Sequence, residues 1–205
     1  MLEETLVNNV ELCGILESKF EFNHEVLGEK FYLCYVKIKR LSETYDAVKC
    51  LVSEKLIDVS KDMSGMNAKI QGSYRSYNKQ ENGKTSLELY VFVKEISVNE
   101  TQEIEFANNI TLSGYLVKEP VFRRTTMSNR DIADIIIAVN RQYKKTDYIP
   151  CILWGRDARF ISQFDIGSKV ELTGRIQSRK YLKKLSETEI IEKTAYEVSV
   201  NKIIL

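Results

Sequence analysis

The feature that most constrains the fold is an internal repeat with a spacing of about 100 residues. Asn8–Leu16 recurs as Asn108–Leu116, with five of nine positions identical. Farther along, Cys50 aligns with Cys151 at a spacing of 101 residues. Near the end of each copy, Ile70-Gln-Gly aligns with Leu172-Thr-Gly at a spacing of 102. A slowly increasing spacing indicates two copies of one fold with loop insertions, so we predict two domains, residues 1–100 and 101–205, each of ordinary domain size.

Each copy contains five segments in which apolar and polar residues alternate. In the second copy they lie near residues 111–116, 135–139, 149–153, 170–176 and 196–200. A period of two predicts strands with one buried face. Between the third and fourth segments, Ala158, Ile161 and Phe164 recur at helical spacing, which predicts a helix over Arg156–Phe164 and a counterpart over Glu54–Met63. This order is that of an OB barrel. The predicted fold is all-β, with two tandem five-stranded OB barrels, each with one helix between strands 3 and 4.

Glycines and connecting segments add detail to this prediction. Gly14 and Gly114 in strand 1, with Gly72 and Gly174 in strand 4, suit strands that bend sharply in a small barrel. The connector Asn99–Ala107 is short, acidic and free of Pro and Gly, which favours two barrels that lie close together. The segment Leu182–Lys193 is compatible with a short helix or with a long hairpin arm, and the sequence leaves both open.

The composition argues against metal, cofactor, membrane and catalytic functions. Cysteines 13, 34, 50 and 151 are scattered and the chain has one His, whereas a zinc site needs closely spaced ligands. Buried, reduced thiols are expected instead. The apolar run Ile135–Val139 is too short to cross a bilayer, and the acidic N-terminus is unlike a secretory signal. With no Walker loop or nucleophile–base pair, we expect a non-catalytic, cytoplasmic protein without metal or cofactor.

Charge divides unevenly between the two copies. Residues 1–100 hold 13 basic and 16 acidic side chains, and residues 101–205 hold 17 and 13. The positive excess of the second copy favours that half as the one that binds a polyanion.

The alternation also predicts which side chains of the second copy face outward. If Ile149, Cys151 and Leu153 point inward, the outward positions of strand 3 are Tyr148, Pro150, Ile152 and Trp154. In strand 4 the outward positions are Arg175, Gln177 and Arg179, and basic or aromatic residues continue at Arg141, Lys144, Lys145, Lys180 and Tyr181. Aromatic rings stack on unpaired bases and cations bind the backbone, so this face is predicted to bind single-stranded nucleic acid. The other interpretation is that the outward rings pack against a neighbouring barrel.

The first copy is an internal control for this interpretation. Its residues at the positions of Tyr148, Trp154, Arg175 and Arg179 are Ala47, Ser53, Ser73 and Tyr77. Because most of the stacking and phosphate-binding chemistry is missing, we predict that the first barrel is a weaker binder or a packing partner. Tyr74 is predicted to lie in its core, and Tyr90 and Phe92 on its outer face.

The second copy resembles the bacterial single-stranded DNA-binding protein family over almost its whole length. The resemblance rests on the order and spacing of several motifs. They are Asn109-x-x-Leu-x-Gly-x-Leu-Val-Lys-Glu-Pro120, Arg123-x-Thr125, Ile137-Ala-Val-Asn-Arg141, Asp147-Tyr148, Leu153-Trp-Gly155, Ala158, Gly167-Ser168 and Gly174-Arg-Ile-Gln-Ser-Arg-Lys-Tyr181. The first copy resembles the family only through its similarity to the second.

The resemblance implies an assembly of four OB barrels that wraps single-stranded DNA, which for this chain would be a homodimer. By position it implies stacking aromatics at Tyr148, Trp154 and Tyr181, and basic or strand-contacting residues at Arg141, Arg175, Arg179 and Lys180. The family normally ends in a polar tail with an acidic, hydrophobic tip that recruits other proteins. Here residues 198–205 are predicted to form strand 5, so recruitment through such a tail is not expected.

The leading hypothesis is non-catalytic, largely sequence-independent binding of single-stranded DNA in replication, repair or recombination. It combines base stacking with the release of counterions by basic side chains. The alternatives are a primosome-type or other OB assembly module that acts mainly through protein contacts, and RNA binding, since OB barrels accept either nucleic acid.

Overall fold

The chain forms two β-barrels joined in one twelve-stranded sheet. A computed structural model describes residues 7–81, 83–100, 104–125, 129–184 and 190–204. The strands of the first barrel are β1 (Asn8–Leu16), β2 (Glu21–Val26), β3 (Glu29–Lys39), β4 (Tyr45–Ser53), β5 (Asn67–Glu81) and β6 (Lys84–Asn99). The second barrel has β7 (Ala107–Leu116), β8 (Val121–Arg124), β9 (Asp131–Asn140), β10 (Thr146–Trp154), β11 (Lys169–Lys184) and β12 (Ile190–Ile203), with helix α1 (Gly155–Ile161) between β10 and β11.

Each half closes on itself in the way expected of an OB barrel. Strand β1 pairs with β5 along its length and with β3 at its end, and β7 pairs in the same way with β11 and β9. A short parallel contact completes each barrel, between β4 and β6 and between β10 and β12. The predicted all-β fold of two OB barrels is confirmed, with one added short strand in each copy, β2 and β8.

The alternating apolar positions form the core as predicted. Val10, Leu12 and Leu16 in β1 are buried, as are their counterparts Ile110, Leu112 and Leu116. The predicted core position of Tyr74 is confirmed too, with 1% of its surface exposed. All four cysteines are buried free thiols, and burial raises the pKa of the Cys151 thiol well above its usual range, so it stays protonated.

The strand glycines lie where two backbones come unusually close. A Cβ atom on Gly114 would lie 2.4 Å from the carbonyl oxygen of Ala138, where β7 crosses β9 to close the barrel. In the first barrel, a Cβ on Gly14 would lie 2.6 Å from the carbonyl oxygen of Lys37. Real Cβ atoms are not found at such distances, so barrel closure requires glycine at both positions.

Two asparagines join β1 to β5 in the first barrel and β7 to β11 in the second. The Asn108 side chain donates to the Ile176 carbonyl at 2.8 Å and accepts from the Ile176 amide at 2.9 Å. Asn8 makes the same two bonds to Tyr74, both at 2.7 Å. The Asn-Asn start of each repeat is therefore explained by a side chain that replaces a missing strand partner.

The two barrels join through antiparallel pairing of β1 with β7. The pairing is symmetric, because Val10 lies opposite its own counterpart Ile110, while Asn8 lies opposite Leu112 and Leu12 opposite Asn108. The two copies are thus related by a local two-fold axis that passes between Val10 and Ile110. The short connector predicted that the two barrels lie close together. The pairing of β1 with β7 joins them in one continuous sheet.

The two-fold axis also creates a pair of polar contacts between barrels, which we call the clasps. In the first clasp, Asp46 of β4 is 1% exposed and accepts a hydrogen bond from the backbone amide of Ser178 in β11 at 2.7 Å. The amide of Ala47 donates to the Ser178 hydroxyl at 3.2 Å. Two guanidinium groups, of Arg40 and Arg175, also bind the Asp46 carboxylate.

The second clasp repeats the same backbone contacts with the barrels exchanged. Asp147 of β10 is fully buried and accepts from the amide of Ser76 in β5 at 2.8 Å, and the Tyr148 amide donates to the Ser76 hydroxyl at 2.8 Å. Arg141 pairs with Asp147 at 3.0 Å. The aligned aspartates of the two copies are therefore retained at the junction between barrels.

The helix predicted over Glu54–Met63 in the first copy is wrong, because the chain forms turns there. The Asp58 carboxylate accepts from the backbone amide of Ser60 at 3.2 Å, and Asp62 accepts from the amide of Ser64 at 3.1 Å. Short polar side chains that bond their own backbone compete with helical hydrogen bonding. In the second copy α1 forms as predicted but begins at Gly155 and ends at Ile161.

Two further details of the prediction change. Strands β11 and β12 remain paired as far as Lys184 and Ile190, so the described part of Leu182–Lys193 is a hairpin arm; residues 185–189 lie outside the described residues. Ile152, predicted to face solvent, is only 5% exposed. It lies mid-sheet between β9 and β12, opposite Asp134 and Ser199. Among the described residues, no helix is long and apolar enough to cross a membrane.

We predict that Asn108→Ala lowers the free energy of unfolding by about 2 kcal/mol, because the Ile176 amide and carbonyl lose their buried partner. Urea unfolding followed by circular dichroism measures this change. The matched control is Asn109→Ala, whose side chain is exposed on the same strand, with an expected change within about 0.5 kcal/mol. Equal effects of the two substitutions would contradict a structural role for the Asn108 side chain.

We also predict that Asp46→Ala costs about 3 kcal/mol, since it leaves two arginines and the Ser178 amide without their common acceptor. Its control is Glu43→Ala, which removes an exposed partner 2.7 Å from Lys39 and should cost less than about 1 kcal/mol. Thermal unfolding of both variants tests this difference. A cost for Asp46→Ala as small as that of the control would mean that the clasp adds little to the junction.

Candidate nucleic-acid interface

Strand β10 presents two aromatic side chains on the outer face of the second barrel. Tyr148 is 45% exposed and Trp154 is 37% exposed, whereas Ile149, Cys151 and Leu153 between them are buried. The two rings lie on one face because they are six residues apart, which is roughly 20 Å along an extended strand. Gly155 follows Trp154 with φ of +57°, a conformation that favours glycine, and turns the chain into α1 at this point.

Strand β11 adds an exposed arginine and a third aromatic ring. Arg179 is exposed, and Tyr181, two residues later on the same face, is 37% exposed. Lys180 lies between them on the opposite face and forms an ion pair with Glu192 at 2.9 Å. Of these three predicted site residues, Arg179 and Tyr181 are brought together and Lys180 is directed away from them.

Two of the predicted arginines lie at the junction between barrels. Arg175 binds Asp46 of the first barrel at 2.9 Å and Gln177 at 2.8 Å, and burial lowers the pKa of its guanidinium. Arg141 binds Asp147 in the second clasp. Both side chains are about 30% exposed (30% and 27%), so they combine a structural contact with partial access to solvent.

The loop after β9 contributes the two predicted lysines. Lys144 ends a short 3-10 turn with φ of +54°, and both Lys144 and Lys145 are exposed. The loop begins at Arg141 and ends at β10, close to Tyr148 in the chain. It therefore places exposed positive charge beside the outer face of β10.

Residues that belong to the first barrel also approach this face, and the comparison of the two copies missed them. Arg75 of β5 lies near the second clasp, since both Arg141 and Asp147 act on its pKa. Its guanidinium stacks on the Phe92 ring, with its central carbon 3.6 Å from the ring centroid. The repeat alignment pairs Arg175 with Ser73, and the charge of the first barrel lies two residues farther along the same face.

The described part of the outer face thus offers three exposed rings, an exposed arginine and two exposed lysines around a junction rich in arginine. Such a surface can stack bases without reading their identity and can neutralise backbone charge. The outward Ile152 and Pro150 are buried or partly buried, so they contribute support for the rings and not contact area.

Comparison with known proteins agrees with this picture. Residues 107–205 match the profile of the Single-strand binding protein family. Over 81 residues the chain is 37% identical to "Single-stranded DNA-binding protein 3" of Streptococcus agalactiae. The aligned region covers 36% of this chain and 58% of that protein. A protein of the same description in Clostridium acetobutylicum is 32% identical over 80 residues, or 36% of this chain and 56% of the relative. The chain thus spans little more than half the length of these relatives.

A solved structure matches both barrels at once. The wild-type single-stranded DNA binding protein of Thermus aquaticus superposes with a TM-score of 0.74 and covers 98% of this chain and 93% of that chain, at 17% sequence identity. At this identity the similarity shows the fold, namely a tandem arrangement of two OB barrels. The match to the Single-strand binding protein family covers residues 107–205, which form the second barrel.

Proposed function

We propose that this protein binds single-stranded DNA without catalysis and with little sequence preference, in the cytoplasm, as part of replication, repair or recombination. The observation that carries the proposal is the set of exposed rings on one outer face, Tyr148, Trp154 and Tyr181, beside exposed Arg179. Base stacking on such rings contributes about 1–3 kcal/mol per base and tolerates any sequence. The match of this barrel to the family, and the names of its relatives, support the choice of DNA over RNA.

The proposed site consists of two groups of residues with different roles. Tyr148, Trp154 and Tyr181 stack bases, while Arg179 and the loop lysines Lys144 and Lys145 contact the backbone. Arg141 and Arg175 stay bound to their aspartates and add positive potential at the junction. Lys180 is the least favourably placed of the predicted residues, because it faces away and is paired with Glu192.

The alternative of a pure assembly module has one observation in its favour. Arg175, one of the predicted binding residues, binds Asp46 across the junction between the barrels. Arg141 pairs with Asp147 of its own barrel, whose carboxylate accepts a hydrogen bond from the Ser76 amide of the first barrel. These contacts at the junction account for the two arginines and leave the rings of Tyr148 and Trp154 exposed. DNA binding is therefore the better account of the surface as a whole.

We predict that oligo-dT quenches the fluorescence of Trp154, the single tryptophan of the chain. Quenching should weaken as the salt concentration rises, and the logarithm of the binding constant should fall with the logarithm of the salt concentration with a slope of about −0.7 per phosphate neutralised. Duplex DNA should quench much less. The measurement is a titration at several salt concentrations. Unchanged emission together with no retention of oligo-dT at low salt would refute DNA binding.

In a separate experiment, Trp154→Ala should weaken binding of a labelled oligo-dT by about 5- to 150-fold, the equivalent of one lost stacking contact. Fluorescence anisotropy measures the loss. The matched control is Phe160→Ala on α1, a ring with the same exposed fraction, 37%, and an expected affinity equal to that of the unmodified protein. If both variants bind equally, Trp154 is not part of the site.

We further infer that two copies of the chain form a homodimer with four OB barrels, as the family resemblance implies. The expected mass is twice the 23.7 kDa of the chain. Light scattering after size-exclusion chromatography measures this mass across a range of concentrations. A mass of one chain at micromolar concentration would overturn the dimer and leave the DNA-binding proposal standing.

A further inference from the structure

The two clasps have the same backbone contacts but differ in how well their charges are satisfied. In the first clasp, the Asp46 carboxylate accepts from Arg40 Nε at 2.7 Å, from Arg175 Nη1 at 2.9 Å and from the Ser178 amide at 2.7 Å. The hydrogen-bond donors that surround Asp46 are therefore used within the protein.

The second clasp leaves buried donors without partners. Among the described residues, Arg75 Nε and Arg141 Nε are buried and find no hydrogen-bond acceptor, and the buried Asp147 Oδ2 finds no donor. Arg141 Nε lies 3.0 Å from Asp147 Oδ2 as an ion pair, but the geometry is not that of a hydrogen bond. Buried polar atoms of this kind are rare in folded proteins and need a physical explanation.

The charge balance of the second clasp also favours an added anion. Two guanidinium groups, Arg75 and Arg141, surround the single carboxylate of Asp147. Burial first, and then the positive charge of Arg141, lowers the pKa of Arg75, and burial raises the pKa of Asp147. The surroundings thus disfavour the charged form of Arg75, and an anion placed against the two guanidinium groups would offset this cost.

The position of Arg75 is fixed before any ligand arrives. The Phe92 ring lies under its guanidinium at 3.6 Å, and the Phe31 ring packs beside Phe92 with 6.0 Å between centroids. A cation held over an aromatic ring loses little freedom on binding. The second clasp is also next to an exposed ring of the proposed DNA site, because the Tyr148 amide donates to Ser76 Oγ within it.

We propose that Arg75 of the first barrel, together with Arg141, binds a backbone phosphate of the strand whose base stacks on Tyr148. The first barrel then contributes a cation to the binding site of the second, and the second clasp is the point where DNA meets both barrels. This inference rests on the proposed function and adds to it one phosphate subsite and the residue that provides it. The first clasp, with its donors satisfied, serves the junction.

The test compares Arg75→Ala with Lys69→Ala in full-length protein. Lys69 is exposed on the same strand, so both substitutions remove one positive charge from β5. We expect Arg75→Ala to weaken oligo-dT binding roughly tenfold or more at low salt, as expected for a lost charge-assisted hydrogen bond, and to make the salt slope less steep by about 0.7. Lys69→Ala should leave both the affinity and the slope nearly unchanged.

Two further measurements separate a phosphate contact from a structural effect. Arg75→Lys keeps the charge and should recover part of the affinity, and urea unfolding of each variant shows whether the junction is intact. In protein labelled at arginine, the Arg75 Nε–H resonance should shift on addition of oligo-dT, which a residue that only stabilises the fold would not do.

The outcomes distinguish a failure of this phosphate subsite from a failure of the proposed DNA binding. If oligo-dT quenches Trp154 while Arg75→Ala matches Lys69→Ala in affinity and slope, the subsite is overturned and DNA binding stands. An Arg75 resonance that does not move at saturating oligo-dT overturns the subsite in the same way. If unmodified protein does not bind oligo-dT at all, both the subsite and the proposed function fail.

Discussion

The pairing of β1 with β7 is the contact on which the rest of the structure depends. Each of these strands already closes its own barrel through two other partners, so a shift in its position would be felt throughout the barrel. Because Val10 lies opposite Ile110, the backbone contacts made on one side of the axis are repeated on the other. The clasps follow from this arrangement: once β1 and β7 are in register, Asp46 meets Ser178 and Asp147 meets Ser76.

The retained positions of the repeat are those that touch backbone. Asn8 and Asn108 bind main-chain groups, the strand glycines make room for a carbonyl, and the clasp aspartates accept from amides. Backbone geometry at these positions is the same in both copies, so the side chains that bind it are the same too. Outer-face positions meet solvent or ligand, which permits Tyr148 in one copy and Ala47 in the other.

Much of the fold could be predicted because alternation is a local property. Whether Ile149 or Leu172 faces inward depends on the period of the strand, and the structure agrees at both positions. The helix of the first copy could not be predicted by analogy, since the side chains of Asp58 and Asp62 bond the turn they occupy. The burial of Ile152 depends on strands that flank it from elsewhere in the chain. Alternation along a single strand carries no such information.

The candidate site was predictable only within one barrel. Alternation predicts that Tyr148 and Trp154 lie outside, and both are exposed. The partners of Arg175 and the location of Arg75 depend on how the barrels dock, and a comparison of aligned positions does not contain that geometry. Arg75 has no aligned counterpart of the same charge, since Gln177 occupies its place. The structural signal for Arg75 is the unpartnered Nε at the junction.

The symmetric pairing of β1 with β7 has a consequence for assembly. In a protein with a single barrel, such a self-complementary strand edge would join two separate chains. The rate and extent of that association would depend on the protein concentration. Here both copies belong to one chain, so that association is intramolecular, and a short tether corresponds to an effective concentration in the millimolar range. The junction therefore persists at dilutions that would separate two free barrels. The self-complementary edge is also occupied, which leaves the short strands β2 and β8 at the ends of the sheet, where short edge strands discourage open-ended stacking of one molecule on the next.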